Sequence, residues 1–498
     1  MKTDEPNVAR DLCTTGVDGL DDILGGGLPS NRIYLLQGDP GVGKTTLALR
    51  FLLEGASKGE SSLYITLSET MDELRAVGDS HGWDLTSIKV FELSALSNEL
   101  NDETETTFFH PSEVELNRTT RALLREVERV EATRVVFDSL SEMRMLAETA
   151  LRYRRQILDL KQFFTGKKCT VLLLDDSPSG SRDLQIESIA HGVIGLEKSS
   201  PEYGINRRRL NVHKVRGVPF REGHHDMVIR KGGIVIFPRL VAAEHHRPFE
   251  TQSFPSGVKA LDSLLGGGLD RGTSSMFMGP PGTGKSTLAV KFAYEFAKKG
   301  EKVLFLCFDE TIGTMVNRAH KLGMDVSEHV KSGALRIEQI DPAEISPGEL
   351  GSRIVKGVQE NAVRMVVIDS INGYLNAMPD DRFLNLQLHE LLTFLNQQGV
   401  ITIIILAQQG LMGGMQAAVD LTYLADTVVL WRYYEAFGSL KQALSVVKKR
   451  SGPHEKSIRD IKVANGGIEV GPPLTNLQGV LSGVPTLAKG IPGESGTL

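Results

Sequence analysis

Cysteine is scarce in this 498-residue chain: there are three, Cys13, Cys169 and Cys307, and none belongs to a CxxC pair. That supports neither a disulfide framework nor a zinc ribbon. Positive charge is not in excess either, for the formal net charge is −6, which gives no general attraction to polyanions. Long apolar runs are missing. The longest, VITIIILA at Val400–Ala407, falls well short of the about 20 residues a bilayer requires, and the opening MKTDEPNVAR has no apolar signal core. The expectation is a cytoplasmic protein with no membrane association.

One motif is present twice. GDPGVGKT at Gly38–Thr45 and GPPGTGKS at Gly279–Ser286 lie 241 positions apart (279 − 38). Each follows an apolar strand (IYLLQ, MFM) and opens an apolar helix (LALRFLL, LAVKFAY). Both read as P-loops, in which backbone N–H groups close around phosphate oxygens, the lysine meets the outer phosphates and the next hydroxyl coordinates Mg²⁺. The predicted phosphate cradle is Gly38, Gly41, Gly43, Lys44, Thr45 and Thr46 in the first copy. In the second it is Gly279, Gly282, Thr283, Gly284, Lys285, Ser286 and Thr287.

The duplication extends past the P-loops. GLDDILGGGLP at Gly19–Pro29 recurs as ALDSLLGGGLD at Ala260–Asp270, and Glu69 with Glu310 and Asp84 with Asp325 keep the offset of 241 (310 − 69, 325 − 84). The offset then slips to 231 for Asp138 in RVVFDS and Asp369 in MVVIDS (369 − 138). The ten extra residues of the first half (241 − 231) fall in or near the acidic stretch SNELNDETETTFFHPSE at Ser97–Glu113, which reads as an enlarged surface loop. Length alone suggests about three domains, but the repeat overrides it and predicts two. They are expected at 1–247 and 248–486, joined near RPFETQSFPSG at Arg247–Gly257, with a flexible tail at 487–498.

Within each half, short apolar strands (SLYITL, RVVFD, TVLLLD; KVLFLCF, MVVID, ITIIIL) alternate with helical stretches such as RYRRQILDLKQFF. This predicts an α/β fold with a mostly parallel sheet covered by helices on both faces. Ligands of such sheets sit at the carboxyl ends of the strands, and candidate residues recur there. Asp138 and Asp369 close strands as Walker-B-like aspartates and, with Thr45 and Ser286, are the candidate Mg²⁺ ligands. Glu69 in SET, and Asp309 with Glu310 in DET, follow the next strand and suit the orientation or deprotonation of an attacking oxygen; the competing reading is a carboxylate capping the next helix. Lys214 and Arg216 in HKVRG, and Lys448 and Arg450 in VKKRS, end late strands. They suit cations reaching a neighbouring subunit's γ-phosphate, against the alternative of a solvated basic edge.

Taken together, the GGGLP turn, the two GxxxxGK[ST] motifs, [SD]ET, V-[FI]-DS and K-x-R resemble the KaiC family of RecA-like ATPases, over almost the whole chain through NLQGVLSGVPT at Asn476–Thr486. The resemblance implies two tandem RecA-like P-loop domains in a homohexamer, with ATP and Mg²⁺ at subunit interfaces of both rings. It also implies slow hydrolysis in the first ring and transfer of phosphate to serine/threonine hydroxyls of the chain itself in the second. Lys44, Thr45, Glu69 and Asp138 would serve the first site with Lys214 and Arg216 of the neighbour. Lys285, Ser286, Asp309, Glu310 and Asp369 would serve the second with Lys448 and Arg450 of the neighbour. The family's phosphoacceptor pair falls on Thr422 and Tyr423.

Three positions depart from the family pattern. Ser68 replaces the first glutamate of the first ring's pair, Asp309 is shorter than the glutamate it replaces, and Tyr423 stands in place of a threonine. Thr422 is therefore the better acceptor. The short tail does not support activation by a clock partner, whereas a KaiB-like protein partner on VRGVPFREGHHDM stays open. Two other functions compete. A nucleic-acid motor would use QQGLMGGMQ at Gln408–Gln416, but that loop has no lysine, arginine or aromatic residue, so no nucleic acid is expected; RYRR and NRRRL read as solvated faces. A switch that binds ATP in both rings, moves little phosphate and signals by assembly is favoured by Ser68 and Tyr423.

Overall fold

The computed structural model describes residues 11–92, 111–176, 184–376, 384–408, 410, 421–464, 467–483 and 485–487. The acidic stretch Ser97–His110, most of the loop Gln408–Gln416 and the tail after Leu487 lie outside these. The chain forms two compact units, Met1–Arg239 and Leu240–Leu498. Leu240–Arg247, which the sequence places at the end of the first domain, packs in the second unit. There the Ala242 N–H donates to Glu390 Oε2 at 2.9 Å and His245 meets the Phe394 ring edge-on.

The first unit is built on strands β1 (Ile33–Gly38), β2 (Ser62–Thr66), β3 (Lys89–Glu92), β4 (Arg134–Asp138), β5 (Thr170–Asp175), β6 (Gly192–Ser199), β7 (Arg207–Val215), β8 (His224–Arg230) and β9 (Gly233–Phe237). They form one sheet in the order β3-β2-β4-β5-β1-β6-β7-β8-β9. The first six in that order are parallel and the last three antiparallel.

The second unit repeats this with β10 (Ser274–Gly279), β11 (Lys302–Cys307), β12 (Leu335–Gln339), β13 (Val363–Asp369), β14 (Ile401–Ala407), β15 (Thr427–Ala436), β16 (Ser439–Lys449), β17 (Arg459–Ala464) and β18 (Gly467–Pro473). Its order, β12-β11-β13-β14-β10-β15-β16-β17-β18, is the same winding. In both sheets one strand, β5 or β14, separates the P-loop strand from the strand that ends in Asp138 or Asp369.

Alternation along the central strands explains the two-sided burial. Tyr34 and Leu36 of β1 enter one apolar cluster with Leu47 and Phe51 of the following helix, while Ile33 and Leu35 enter another with Leu160 and Phe164. The expected helix in RYRRQILDLKQFF is present as Ala150–Phe164. Pro111–Glu113, read from sequence as loop, opens the helix Pro111–Val130, because proline suits a first helical turn where its missing N–H costs nothing. Among the described residues no helix is long and apolar enough to cross a membrane.

One buried charge ties the first sheet to its P-loop helix. Arg134 is 1 % exposed, pairs with Glu60, and donates to the carbonyls of Thr14 and Phe51 at 2.7 and 2.9 Å. Arg134→Ala strips three acceptors of their donor and is expected to destabilise the first unit by about 3 kcal/mol. The check is the lower-melting transition of the mutant's calorimetric trace, with the second unit's transition unmoved.

Candidate nucleotide sites

Both P-loops end on a glycine that initiates a helix. Gly43 and Gly284 have φ of 118° and 89°, a left-handed conformation unfavourable to any side chain. No side chain caps the helices Lys44–Ser57 and Lys285–Lys298 that follow, and neither has an acid in its first turn. Their amide groups are thus open to an anion. By contrast the helix Met71–His81 is closed by a reciprocal Thr70–Glu73 capping box, and Ile312–Lys321 by Thr311. Threonines cap these two helices, so Glu69, Asp309 and Glu310 are not the caps that the competing reading made them.

In the first site, Lys44 Nζ donates to the carbonyls of Gly38 and Asp39 at 2.7 and 3.1 Å and pairs with Asp176 at 2.7 Å. Thr45 Oγ1 lies 3.4 Å from Asp138 Oδ2, which also accepts from the Tyr64 hydroxyl. Thr46 is buried behind them. Burial raises the Asp138 pKa against the pull of Tyr64, Lys44 and Thr45. Glu69 sits at the same edge. Its Oε2 is buried with no hydrogen-bond partner, and burial, then the charges of Asp138, Glu73 and Asp176, push its pKa up to about 7.

That shift has a stability consequence. The folded chain holds a proton on Glu69 that the unfolded chain has released between pH 4.5 and about 7, so stability falls as pH rises through that window and the charge is unfavourable above it. Glu69→Gln is therefore expected to leave the first unit unchanged at pH 5 and to stabilise it by about 1 kcal/mol at pH 8, discounted for the group's partial exposure. Melting curves at the two pH values test this; equal shifts at both would contradict it.

In the second site, Lys285 Nζ donates to the carbonyls of Gly279 and Pro280 at 2.9 and 2.6 Å. The Thr283 hydroxyl donates to the Pro280 carbonyl at 2.9 Å. Burial lowers the Lys285 pKa to about 8 and raises that of Asp369 to about 6, the latter opposed by a hydrogen bond from Ser286. Asp309 accepts from Ser370 Oγ, and Glu310 is ion-paired with Arg318. The Asp138–Ser139 and Asp369–Ser370 bonds are both cis. A cavity of about 630 Å³ opens beside this P-loop, lined by Gly284, Lys285, Thr287 and Arg318 and by Lys441, Asp460 and Lys462 of the antiparallel strands. That size suits a nucleotide.

The four late cations bond within their own lobes. Lys214 donates to the Glu187 carbonyl and Arg216 to that of Ser188 at 2.8 Å. Lys448 donates to the carbonyls of Thr422 and Ala425 at 2.9 and 2.7 Å, and Arg450 to that of Tyr423 at 3.1 Å. The second pair therefore grips the turn that carries the candidate acceptors, where Tyr423 is 56 % exposed. Sequence reasoning missed Asp176, Ser141, Tyr64 and Arg318. Carrying the offset of 231 onward would have exposed Asp175 and Asp176 as acids standing where the second half has Leu406 and Ala407 (406 − 175, 407 − 176).

Two identically wound sheets, each with a P-loop, a helix-opening lysine and hydroxyl, and an aspartate closing a strand two strands away, define a tandem RecA-like P-loop NTPase. The KaiC ATPase model matches residues 13–241 and again 254–475, and the chain belongs to that family. It is 25% identical to the circadian clock oscillator protein KaiC of Acaryochloris marina, covering 97% of this chain and 93% of that one. It is 27% identical to the protein of that name from Thermosynechococcus vestitus (95% and 91% covered), and 25% identical to the circadian clock protein KaiC3 of Synechocystis (95% and 94% covered).

Proposed function

We propose that this KaiC-family ATP-binding chain hydrolyses Mg·ATP at both P-loops and passes a phosphate to its own Thr422 turn from the second site, acting in a timing or signalling switch. The observation that carries the reading is the repeated pairing of hydroxyl and strand-end carboxylate, Thr45 with Asp138 and Ser286 with Asp369. An all-oxygen pair of this kind suits a hard cation shared with phosphate oxygens. Among the described residues no three or more His, Cys, Asp or Glu side chains gather as a metal cage, and Mg²⁺ carried by a triphosphate needs none. Mg²⁺, when bound, neutralises charge that builds on the phosphates. Thr45 and Ser286 would hold it directly, with Asp138 and Asp369 behind.

Lys44 and Lys285 would meet the outer phosphates. Glu69 and the Asp309–Glu310 pair would orient the attacking oxygen. Lys214 with Arg216, and Lys448 with Arg450, would reach a neighbour's γ-phosphate in a homohexamer, a geometry that needs them to exchange some of their present carbonyl partners. In the second ring that exchange would move the Thr422 turn as well, since Lys448 and Arg450 bond its backbone. The clock names of the relatives support a timing role; a KaiB-like partner and a cytoplasmic location are proposed with it.

The test is intact-mass and phosphopeptide analysis after incubation with Mg·ATP, beside Lys285→Ala. A phosphate on Thr422 or Tyr423 that disappears in Lys285→Ala is the expected result. ADP release with no phosphate on either protein would retire self-phosphorylation and leave an ATP-driven assembly switch, the reading that Ser68 and Tyr423 favour.

A further inference from the structure

We propose that Asp176 sets the first lobe's selectivity among nucleotides, by competing with the γ-phosphate for Lys44. The inference rests on reading Lys44 as a phosphate-binding lysine. Strand β5 runs between β1 and β4, so its carboxyl end opens between the P-loop and Asp138. Asp175, the last residue of that strand, is held by Arg144 at 3.0 Å. Asp176 comes next and is fixed at both ends of its carboxylate: Oδ2 accepts from the Ser141 hydroxyl at 3.1 Å and Oδ1 faces Lys44 Nζ at 2.7 Å. The Asp176 N–H donates back to Ser141 Oγ at 3.3 Å. The side chain of Lys44 is 8 % exposed and that of Asp176 40 %, so the pair is only partly screened by solvent.

The second lobe builds the same corner without charge. With the offset of 231, Ser141, Arg144, Asp175 and Asp176 correspond to Asn372, Leu375, Leu406 and Ala407 (372 − 141, 375 − 144, 406 − 175, 407 − 176). Asn372 ties the backbone of Ala407 directly, accepting from its N–H at 2.6 Å and donating to its carbonyl at 2.8 Å. Leu375 and Leu406 belong to one apolar cluster, where the first lobe has the Arg144–Asp175 ion pair. Lys285 forms no salt bridge among the described residues and spends its protons on two carbonyls.

A γ-phosphate oxygen arriving at Lys44 must displace Asp176 and then lie near a carboxylate of its own sign. A diphosphate places less charge there. The first lobe therefore discriminates against ATP relative to ADP in a way the second does not, and the difference resides in one carboxylate. Asp176→Asn retains the shape and the bond to Ser141 and removes the charge.

The experiment uses the full chain with Lys285→Ala, so that only the first lobe reports, and titrates fluorescent ADP and a fluorescent non-hydrolysable ATP analogue with Mg²⁺. Adding Asp176→Asn is expected to tighten the triphosphate by about tenfold, the size of one charged contact, and the diphosphate by about threefold or less. Ser141→Ala should shift the triphosphate in the same direction by a smaller factor, because it frees the carboxylate to leave. Ala407→Asp, placed in a Lys44→Ala chain, should weaken triphosphate binding by the second lobe. An unchanged or weaker triphosphate affinity in Asp176→Asn, in a protein where Lys44→Ala still abolishes binding, overturns the proposal. Full binding by the first lobe in a Lys44→Ala, Lys285→Ala chain would overturn the reading of Lys44 and the proposal with it.

Discussion

An Asp138→Asn chain that also carries Lys285→Ala is expected to turn over ATP on the order of a hundredfold or more slowly than Lys285→Ala alone. Asparagine matches aspartate in shape, so the Tyr64 and Thr45 hydroxyls keep a partner at the same place and the β4 strand end keeps its position. Only the charge is lost. At a buried site a fixed negative charge facing the metal that Thr45 and Asp138 would hold is worth far more than in water. Asp138 is 7 % exposed, and burial opposes its ionised form, so the site retains that charge at a cost which removal relieves. The variant should therefore melt no lower than its parent while releasing ADP far more slowly. Turnover within a factor of three of the parent would show that the Thr45–Asp138 pair is not the metal site. Asp369→Asn in a Lys44→Ala chain is the matching experiment for the second lobe.

Lys44→Ala and Lys285→Ala should each weaken nucleotide at their own site about a hundredfold or more, since each removes a charge-assisted contact from a buried phosphate position. Their effects on the protein without nucleotide should differ. Lys44→Ala leaves Asp176, Glu69 and Asp138 gathered with no cation, raises the proton affinity of Glu69 further and lowers the melting point of the first unit. Lys285 is a buried cation whose pKa is lowered from 10.5 to about 8. Its folded form releases a proton that the unfolded chain keeps between those values, so stability rises with pH from about 8 to 10.5 and the full charge penalty applies below pH 8. At pH 7, Lys285→Ala removes that penalty along with two hydrogen bonds, and the second unit should melt within a few degrees of the parent or above it. Calorimetry at pH 7 with and without ATP separates the two variants; equal losses from both would contradict the asymmetry.

Much of this was legible in the sequence because the informative residues are contiguous and apolar. The central parallel strands are near-continuous runs such as VLLL and TIIIL, and a strand buried on both faces has no other pattern available. The P-loops are legible for the same local reason, with glycines that only left-handed backbone explains. Three outer strands were not. β3, β17 and β18 are mostly exposed or half-buried, so their composition carries no hydrophobic signal, and they exist through pairing with a neighbour rather than through burial.

The charges of the site were half legible. Asp138 and Asp369 stand out as lone acids closing apolar strands. Asp176 did not, because its meaning depends on strand order: β5 had to be placed between β1 and β4 before its end could face Lys44. Arg318 reaches Glu310 from eight residues further along the chain, through a helix turn that no motif records. The late lysine and arginine pairs end strands in a way that suits either reach across an interface or a solvated basic edge, and the structure gives each of them carbonyl partners within its own lobe. The proline, glycine and polar residues of Arg247–Gly257 predict the junction there, while the hydrogen bonds of Ala242 and His245 run to Glu390 and Gln398 of the second unit.

The most direct test of two working nucleotide sites on one chain is the stoichiometry of a non-hydrolysable ATP analogue bound to the full-length protein with Mg²⁺, measured by calorimetric titration. Two nucleotides per chain are expected, with one remaining in Lys44→Ala, one in Lys285→Ala and none in the double variant. A single nucleotide per chain in the unmodified protein, or two in either single variant, would contradict the assignment of both P-loops as ATP sites.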